Sequence, residues 1–248
     1  MQSVNERERM PSCVIMPADL GPMEVCDLKL SVLIPVFNER DSVEEIVRRV
    51  AAVPVEKEII VVNDCSQDGT GEILDSLKIE GLRVIHHCRN QGKGAAIRTA
   101  LKEASGEYSI IQDADLEYDP DEYVKLLHPI IQGNAKVVYG MRNLDGQKWL
   151  FRNGNRFLSI MTSILYGANV HDMETCYKVI PTGLFRDLGI RCNRFDMEPE
   201  ITARLLLRKL RIYEVPISYR PRGDKKLSAW RDGMPALLTL LRLRFGWD

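Results

Sequence analysis

The stretch Tyr108-Ser109-Ile110-Ile111-Gln112-Asp113-Ala114-Asp115-Leu116-Glu117-Tyr118-Asp119-Pro120 decides how the rest of this 248-residue chain is read. Tyr108 to Gln112 has the composition of a short buried strand, and it ends in two carboxylates one residue apart. In extended backbone, residues two apart point to the same side, so Asp113 and Asp115 are placed to grip one hard cation, with Glu117 as a third acid and Pro120 as a break. Two plainer readings compete. Asp119 and Asp121 flank Pro120 in the manner of a helix start. A calcium loop of the EF-hand type fails, because Tyr118 stands where the turn glycine belongs and Val124 where the final Glu belongs.

Upstream, the chain alternates between two periods. Lys29 to Val36 is a near-continuous apolar run of buried-strand length. A loop at Phe37 to Arg40 leads to a helix with Val43, Ile46, Val47 and Val50 on one face, where Ser42 and Glu45 predict a capping box. Glu58 to Val62 predicts a second strand, followed by a loop at Asn63 to Thr70 and a helix to about Leu77. Leu82 to His86 predicts a third strand, and Asn90-Gln91-Gly92-Lys93-Gly94 opens a helix carrying Ile97, Ala100, Leu101 and Ala104 on one side. Beyond the opening stretch, Asp121 to Ile131 predicts a helix and Lys136 to Gly140 a fifth strand. This alternation predicts an α/β fold, a Rossmann-like and mostly parallel sheet with helices on both faces. Ligands of such sheets bind beyond the carboxyl ends of the strands.

The four loops expected at those ends are polar. The glycine turn at Gly92 opens a helix, so backbone N–H groups and Lys93 there are expected to face a diphosphate. A dinucleotide fingerprint is absent, and Gly92-Lys93 lacks both the upstream glycine and the following Ser or Thr of a P-loop. Charge is divided unevenly. Residues 1–140 hold 15 Lys and Arg against 24 Asp and Glu, a net of −9, while residues 141–248 hold 19 against 11, a net of +8. An acidic half with a metal site beside a basic half suits a phosphate-bearing substrate, whereas the basic residues lack the interleaved aromatics of a nucleic-acid surface.

Six cysteines are scattered without a CxxC pair, which predicts free thiols rather than zinc or disulfides. No run of about 18 apolar residues predicts a membrane span. Met1 to Met10 is polar, without the apolar core of a signal peptide, and the expected location is cytoplasmic. Residues 1–27 carry prolines and no periodicity and are expected to be a flexible tail. Residues 28–232 are expected to form the domain, with 28–140 as its nucleotide and metal half and 141–232 as its acceptor side. Residues 233–248, apolar with Arg242 and Arg244, predict a C-terminal amphipathic helix, either packed on the domain or lying at the inner face of a membrane as a peripheral anchor.

Taken together, Val32 to Glu39, Ile60 to Thr70, Asn90 to Gly94 and Gln112 to Glu117 resemble, in order, the motifs of glycosyltransferase family 2 with the GT-A fold, and in particular the polyprenyl- and dolichyl-phosphate sugar transferases. The resemblance implies that Pro35, Val36, Asn38 and Glu39 line the base and ribose pocket. It places Asp64 and Ser66 on the nucleoside, Lys93 near it or the diphosphate, and Ala114 between the two acids of the donor site. Asp113 and Asp115 would hold Mg²⁺ or Mn²⁺, with Glu117 as a further metal ligand. Cys65 stands where glycine is common in the family, which marks the loop as a departure. In the second half, Tyr139 to Arg142 resembles a strand end whose arginine handles phosphate, Asp172 to Lys178 the acceptor-side segment, and Arg222 to Leu227 a basic loop over the diphosphate that brings Arg222 and Lys226 to the donor. Arg152 and Arg156, four apart on a helix candidate, join Arg142 as acceptor-binding candidates.

The expected reaction is a metal-dependent, inverting transfer of a sugar from a nucleotide diphosphate sugar, UDP-glucose first and GDP-mannose second, to a polyprenyl or dolichyl phosphate. Asp113, Asp115 and Arg142 carry the chemistry on this reading. A phosphate acceptor is ionised near neutral pH and needs no base, whereas a soluble or glycan hydroxyl acceptor would need one, from Asp172 or Glu174. A nucleotide-sugar binding module without catalysis is the remaining alternative, and the intact Asp113, Asp115 and Lys93 stand against it.

Overall fold

The computed structural model describes residues 28–144, 147, 149–222 and 229–247. The expected tail at 1–27 lies outside these residues. Its first strand, β1 (Leu30–Val36), is buried almost throughout. It is followed by α1 (Val43–Ala52), β2 (Lys57–Asn63), α2 (Thr70–Ser76), β3 (Leu82–His86), α3 (Lys93–Glu103) and β4 (Tyr108–Ile111). Both β2 and β4 pair with β1 in parallel, and β3 pairs with β2 in parallel. The chain therefore steps outward from β1 to β3 and returns to the other side of β1. Right-handed crossovers then put α1 and α2 on one face and α3 on the other, and a crevice opens between the ends of β1 and β4.

The apolar face read for α1 is the buried one, made of Val43, Ile46, Val47 and Val50. The capping box does not form. Ser42 is the N-cap residue, but its hydroxyl donates to Glu39 Oε2 at 2.9 Å instead of bonding the helix amides. The opening stretch also ends its strand one residue earlier than expected, at Ile111. Gln112 is fully buried, and its Oε1 accepts hydrogen bonds from Tyr123 Oη at 2.6 Å and Tyr177 Oη at 2.7 Å. Its backbone N–H still donates to the Leu33 carbonyl of β1 at 2.9 Å, so the residue closes the strand's end from both backbone and side chain. Asp119 then caps a single 3₁₀ turn, Pro120–Glu122, ahead of α4 (Tyr123–Ile131), so the plainer reading of that end holds.

The second half adds β5 (Val137–Arg142), α5 (Trp149–Tyr166), β6 (Lys178–Pro181), α6 (Thr182–Asp187), α7 (Met197–Leu207), β7 (Ile212–Ile217) and α8 (Ala229–Phe245). The seven-stranded sheet runs β3-β2-β1-β4-β6-β5-β7, with β6 antiparallel to both its neighbours. This reversal matters for the site. Because β6 runs the other way, its beginning lies at the carboxyl ends of β4 and β5, and the preceding segment from Asp172 to Tyr177 is delivered to the same edge as Asp113 and Arg142. Strand β7 is the edge, as Pro216 leads one to expect. Helix α8 packs on α5 and α7, burying Ala236 and Leu240, and Tyr166 Oη donates to the Leu240 carbonyl at 2.7 Å. No described helix is long and apolar enough to cross a membrane.

Candidate active site

The carboxyl edge of the sheet opens into a cavity of about 450 Å³. Its walls include Pro35 and Val36 at the end of β1 and Glu39 after it, Asp64 after β2, Lys93 at the start of α3, Asp113, Ala114, Asp115 and Glu117 after β4, Arg142 at the end of β5, Glu174 before β6, and Arg222 after β7. Residues up to 187 apart in sequence thus meet around one space. Asn38, Ser66, Asp172, Arg152 and Arg156 are not among the lining residues, and Lys226 lies outside the described ones.

The acidic end is set by turn geometry and charge. Leu116 takes the left-handed conformation at φ 62°, which turns the chain so that Glu117 N–H donates to Asp115 Oδ1 at 3.2 Å. Burial, followed by the charges of Asp113 and Glu117, pushes the Asp115 carboxyl up to about 7. Acids held this close and this dry call for a cation, and Lys93 answers for one of them at 2.7 Å from Asp113 Oδ1. Burial alone would lower the lysine, but Asp113, with Cys176 and Glu198 behind it, holds its ammonium well above the ordinary value. A divalent ion fits Asp113 and Asp115 as a two-carboxylate site. Glu117 is engaged elsewhere: its carboxylate accepts from Tyr219 Oη at 2.5 Å and from Arg222 N–H at 2.6 Å. Among the described residues, no three acid, histidine or cysteine side chains converge as a metal cluster.

The diphosphate turn departs from expectation. Gly94 N–H and Ala95 N–H both donate to the Asn193 carbonyl, at 2.8 and 3.4 Å, and Gly92 N–H donates to Asp64 Oδ2 at 2.7 Å. The start of α3 is therefore capped by the protein itself. The glycines serve close approach, because a Cβ at Gly92 would stand 2.3 Å from the Asn193 oxygen and one at Gly94 2.3 Å from that of Cys192. Asp64, buried, also accepts from Gln91 N–H at 2.9 Å and meets His87 Nδ1 at 2.7 Å, so it builds this loop from the cavity wall. Ser66 Oγ accepts from Asn38 N–H at 2.9 Å and ties the first two loops together. Cys65 sits at φ 63°, the left-handed region that glycine occupies freely, so a cysteine here carries backbone strain that a glycine would not.

On the opposite wall, Arg142 and Asp172 form a buried fork, Nη2 to Oδ1 at 2.7 Å and Nε to Oδ2 at 2.8 Å, with the Arg142 backbone N–H also on Oδ2 at 3.0 Å. Asp172 is fully engaged and is not an available base. Glu174 is different. Among the described residues nothing hydrogen-bonds its shielded Oε1, and burial, reinforced by the charge of Glu198, pushes its carboxyl up to about 7. At the mouth, Arg222 pairs with Glu39 at 2.9 Å. The face of α5 that carries Phe151, Gly154, Asn155 and Leu158 lines the cavity, and the opposite face exposes Leu150, Phe157, Ile160 and Ile164. Arg152 and Arg156 flank that outer face, one step around the helix from the cavity. Sequence reading missed Glu198, Tyr118 and Tyr219, whose positions depend on α7 and on the strand-like pairing of Tyr118 with Tyr219.

A family model described as glycosyl transferase family 2 matches residues 31–189, and the chain belongs to that family. It is 36% identical over 213 residues to a dolichol-phosphate mannosyltransferase of Pyrococcus furiosus, covering 81% of this chain and 59% of the relative. It is 29% identical over 215 residues to a low-salt glycan biosynthesis hexosyltransferase of Haloferax volcanii, covering 82% of this chain and 51% of that protein. The chain thus spans only between half and three fifths of these two relatives. A glucosyl-3-phosphoglycerate synthase of Mycobacterium tuberculosis, solved with Mn²⁺, UDP and glucosyl-3-phosphoglycerate, superposes with a TM-score of 0.73 at 19% identity, covering 89% of this chain and 81% of that one. The architecture is the GT-A fold that the motifs led one to expect.

Proposed function

We propose that the chain transfers a hexose, with inversion, from a nucleoside diphosphate sugar to a polyprenyl phosphate, with UDP-glucose as the first candidate donor and GDP-mannose the second. The observation that carries this reading is the single cavity joining the Asp113–Asp115 acid pair and Lys93 on one wall to Arg142 on the other. A Mg²⁺ or Mn²⁺ ion held by Asp113 and Asp115 would stabilise the charge that builds on the departing nucleoside diphosphate. Lys93 offers a dry, charged ammonium beside it, and the Arg222–Glu39 pair closes the mouth. Asp172 holds the Arg142 guanidinium in one orientation, ready for an anionic acceptor.

A lipid acceptor has support from the outer surface. Beside the exposed face of α5, α8 carries Met234, Leu238 and Phe245 on a shared outward face, and Trp247 follows. With Arg152, Arg156, Arg242 and Arg244 around them, these residues suit peripheral contact with an anionic bilayer. The named relative's dolichol phosphate is an acceptor of the same class.

One observation favours a second reading. Glu174 stands on the cavity wall with its carboxyl pKa pushed up to about 7, as a general base for a hydroxyl acceptor would. The test is nucleoside diphosphate release with Mn²⁺ from UDP-glucose, UDP-N-acetylglucosamine and GDP-mannose, each with and without a polyprenyl phosphate. Release from one donor that depends on the lipid is the expected result. Lipid-independent transfer to a hydroxyl acceptor that falls at least about a hundredfold in Glu174→Gln would overturn the phosphate reading in favour of the second.

A further inference from the structure

The segment between α5 and β6, residues 167–177, has no helix or strand of its own, yet it brings Asp172 to Arg142 and Glu174 to the cavity wall. Backbone N–H groups in such a segment need acceptors from elsewhere. Ser163 Oγ accepts from Val170 N–H at 3.2 Å, Ser159 Oγ from Met173 N–H at 3.0 Å, and Tyr118 Oη from Cys176 N–H at 2.9 Å. Between Val170 and Met173 stand His171 and Asp172, and both turn to one residue, Glu214 of β7.

Glu214 Oε1 accepts from His171 N–H and from Asp172 N–H, each at 2.9 Å, while Oε2 meets His171 Nδ1 at 2.6 Å. The Glu214 side chain is only 9% exposed. Two successive backbone N–H groups make a concavity suited to an anion, and here a carboxylate of the chain itself fills it. The other three acceptors are neutral hydroxyls.

The grip falls on the backbone of Asp172, whose carboxylate holds the Arg142 guanidinium by two bonds and the Arg142 N–H by a third. Strand β7 lies beside β5 in parallel, with Glu214 opposite Tyr139 and Ile217 opposite Arg142. One strand pair therefore carries both the arginine and its distant support. Arg142 lines the cavity and Glu214 does not, so Glu214 reaches the site through Asp172.

We propose that Glu214 is a positioning residue: it sets the direction of the Asp172 carboxylate and, through it, the aim of Arg142 at an anionic acceptor. This assignment rests on the reading of the cavity as a site of transfer to a polyprenyl phosphate. Misplacing a reacting group by about 1 Å costs on the order of a hundredfold in rate, so a support this far from the chemistry still matters to it.

The experiment compares wild type, Glu214→Ala, Glu214→Gln and Ser163→Ala in three measurements: KM for a polyprenyl phosphate, Kd for the nucleoside diphosphate with Mn²⁺, and hydrogen exchange across residues 167–177. Glu214→Ala should speed exchange in this segment and raise the acceptor KM at least about tenfold, the scale of a lost bond to a charged group, with the nucleotide Kd within about threefold of wild type. Glu214→Gln keeps a carbonyl oxygen for both amides and should hold the acceptor KM within about threefold. Ser163→Ala frees the adjoining Val170 N–H without touching the backbone of Asp172, and it too should stay within about threefold. If Glu214→Ala does not fold, Glu214→Asp, which draws the carboxylate back from the amides by one methylene, carries the same expectations. An unmoved acceptor KM in the folded Glu214 variant overturns the assignment, as does an equal rise in Ser163→Ala or an equal weakening of nucleotide binding. In these cases lipid-dependent transfer by the wild type keeps the transferase reading, and Glu214 alone is reassigned. If the wild type shows no lipid-dependent transfer, both fall.

Discussion

Replacing Asp172 by asparagine removes the charge opposite Arg142 while keeping the side chain's shape. The Arg142 side chain is 7% exposed and that of Asp172 3%, and the two are joined by the bidentate fork plus a backbone bond. An exposed pair of this kind would be worth less than about 1 kcal/mol. Here the variant leaves a guanidinium buried without its counter-charge, and breaking a buried pair on one side costs about 3–5 kcal/mol. For a domain of this size, 1 kcal/mol corresponds to about 2–4 °C in Tm, so a drop of about 6–20 °C is expected. Thermal unfolding followed by circular dichroism measures the drop, and urea unfolding the free energy. A double change, Asp172→Leu with Arg142→Met, should recover most of the loss, because the cost lies in the unpaired charge and not in the missing pair. The reasoning is refuted if Asp172→Asn unfolds within about 1 kcal/mol of wild type. Its catalytic defect should appear through the displaced Arg142, as weaker use of an anionic acceptor.

Other outcomes follow from the same geometry. Glu174 has its folded pKa raised to about 7 from 4.5, so the stability it contributes is complete below about 4.5 and is lost as pH rises through about 7. Glu174→Gln should accordingly gain on the wild type between those pH values by up to about 3 kcal/mol, and parallel pH profiles of the two proteins would refute this. Gly94→Ala places a methyl group against the Cys192 carbonyl and should cost about 1–3 kcal/mol in urea unfolding. Cys65→Gly relieves a left-handed residue and should stabilise the protein by about 1 kcal/mol, with no change expected in nucleotide binding. Leu238→Glu with Phe245→Glu should abolish flotation with anionic liposomes while leaving circular dichroism unchanged, whereas undiminished flotation removes α8 from the membrane contact.

Much of the nucleotide half was legible because its information is local. Buried strands such as β1 are apolar runs, amphipathic helices such as α1 have a 3.6-residue period, and the loops at the strand ends carry their polar residues in short motifs. Four such motifs in order sufficed to find Asp64, Lys93, Asp113 and Asp115. The capping box at Ser42 failed because Glu39, a loop residue whose direction no periodicity predicts, captured the hydroxyl. The amides at the start of α3 were misread as ligand groups because the carbonyl that takes them belongs to Asn193, about a hundred residues away.

The sequence by itself determined the alternation of strands and helices, the metal-suited acid pair and the family. Each of these depends on residues within a few positions of one another. Only the tertiary structure decided which charged groups have partners. It locked Asp172 onto Arg142, gave Lys93 to Asp113, and engaged Glu117 with Tyr219 and Arg222. The reason is physical. Hydrogen bonding and burial set the protonation and availability of a side chain, and both are supplied here by elements brought together through the antiparallel insertion of β6 and the return of the chain after β7.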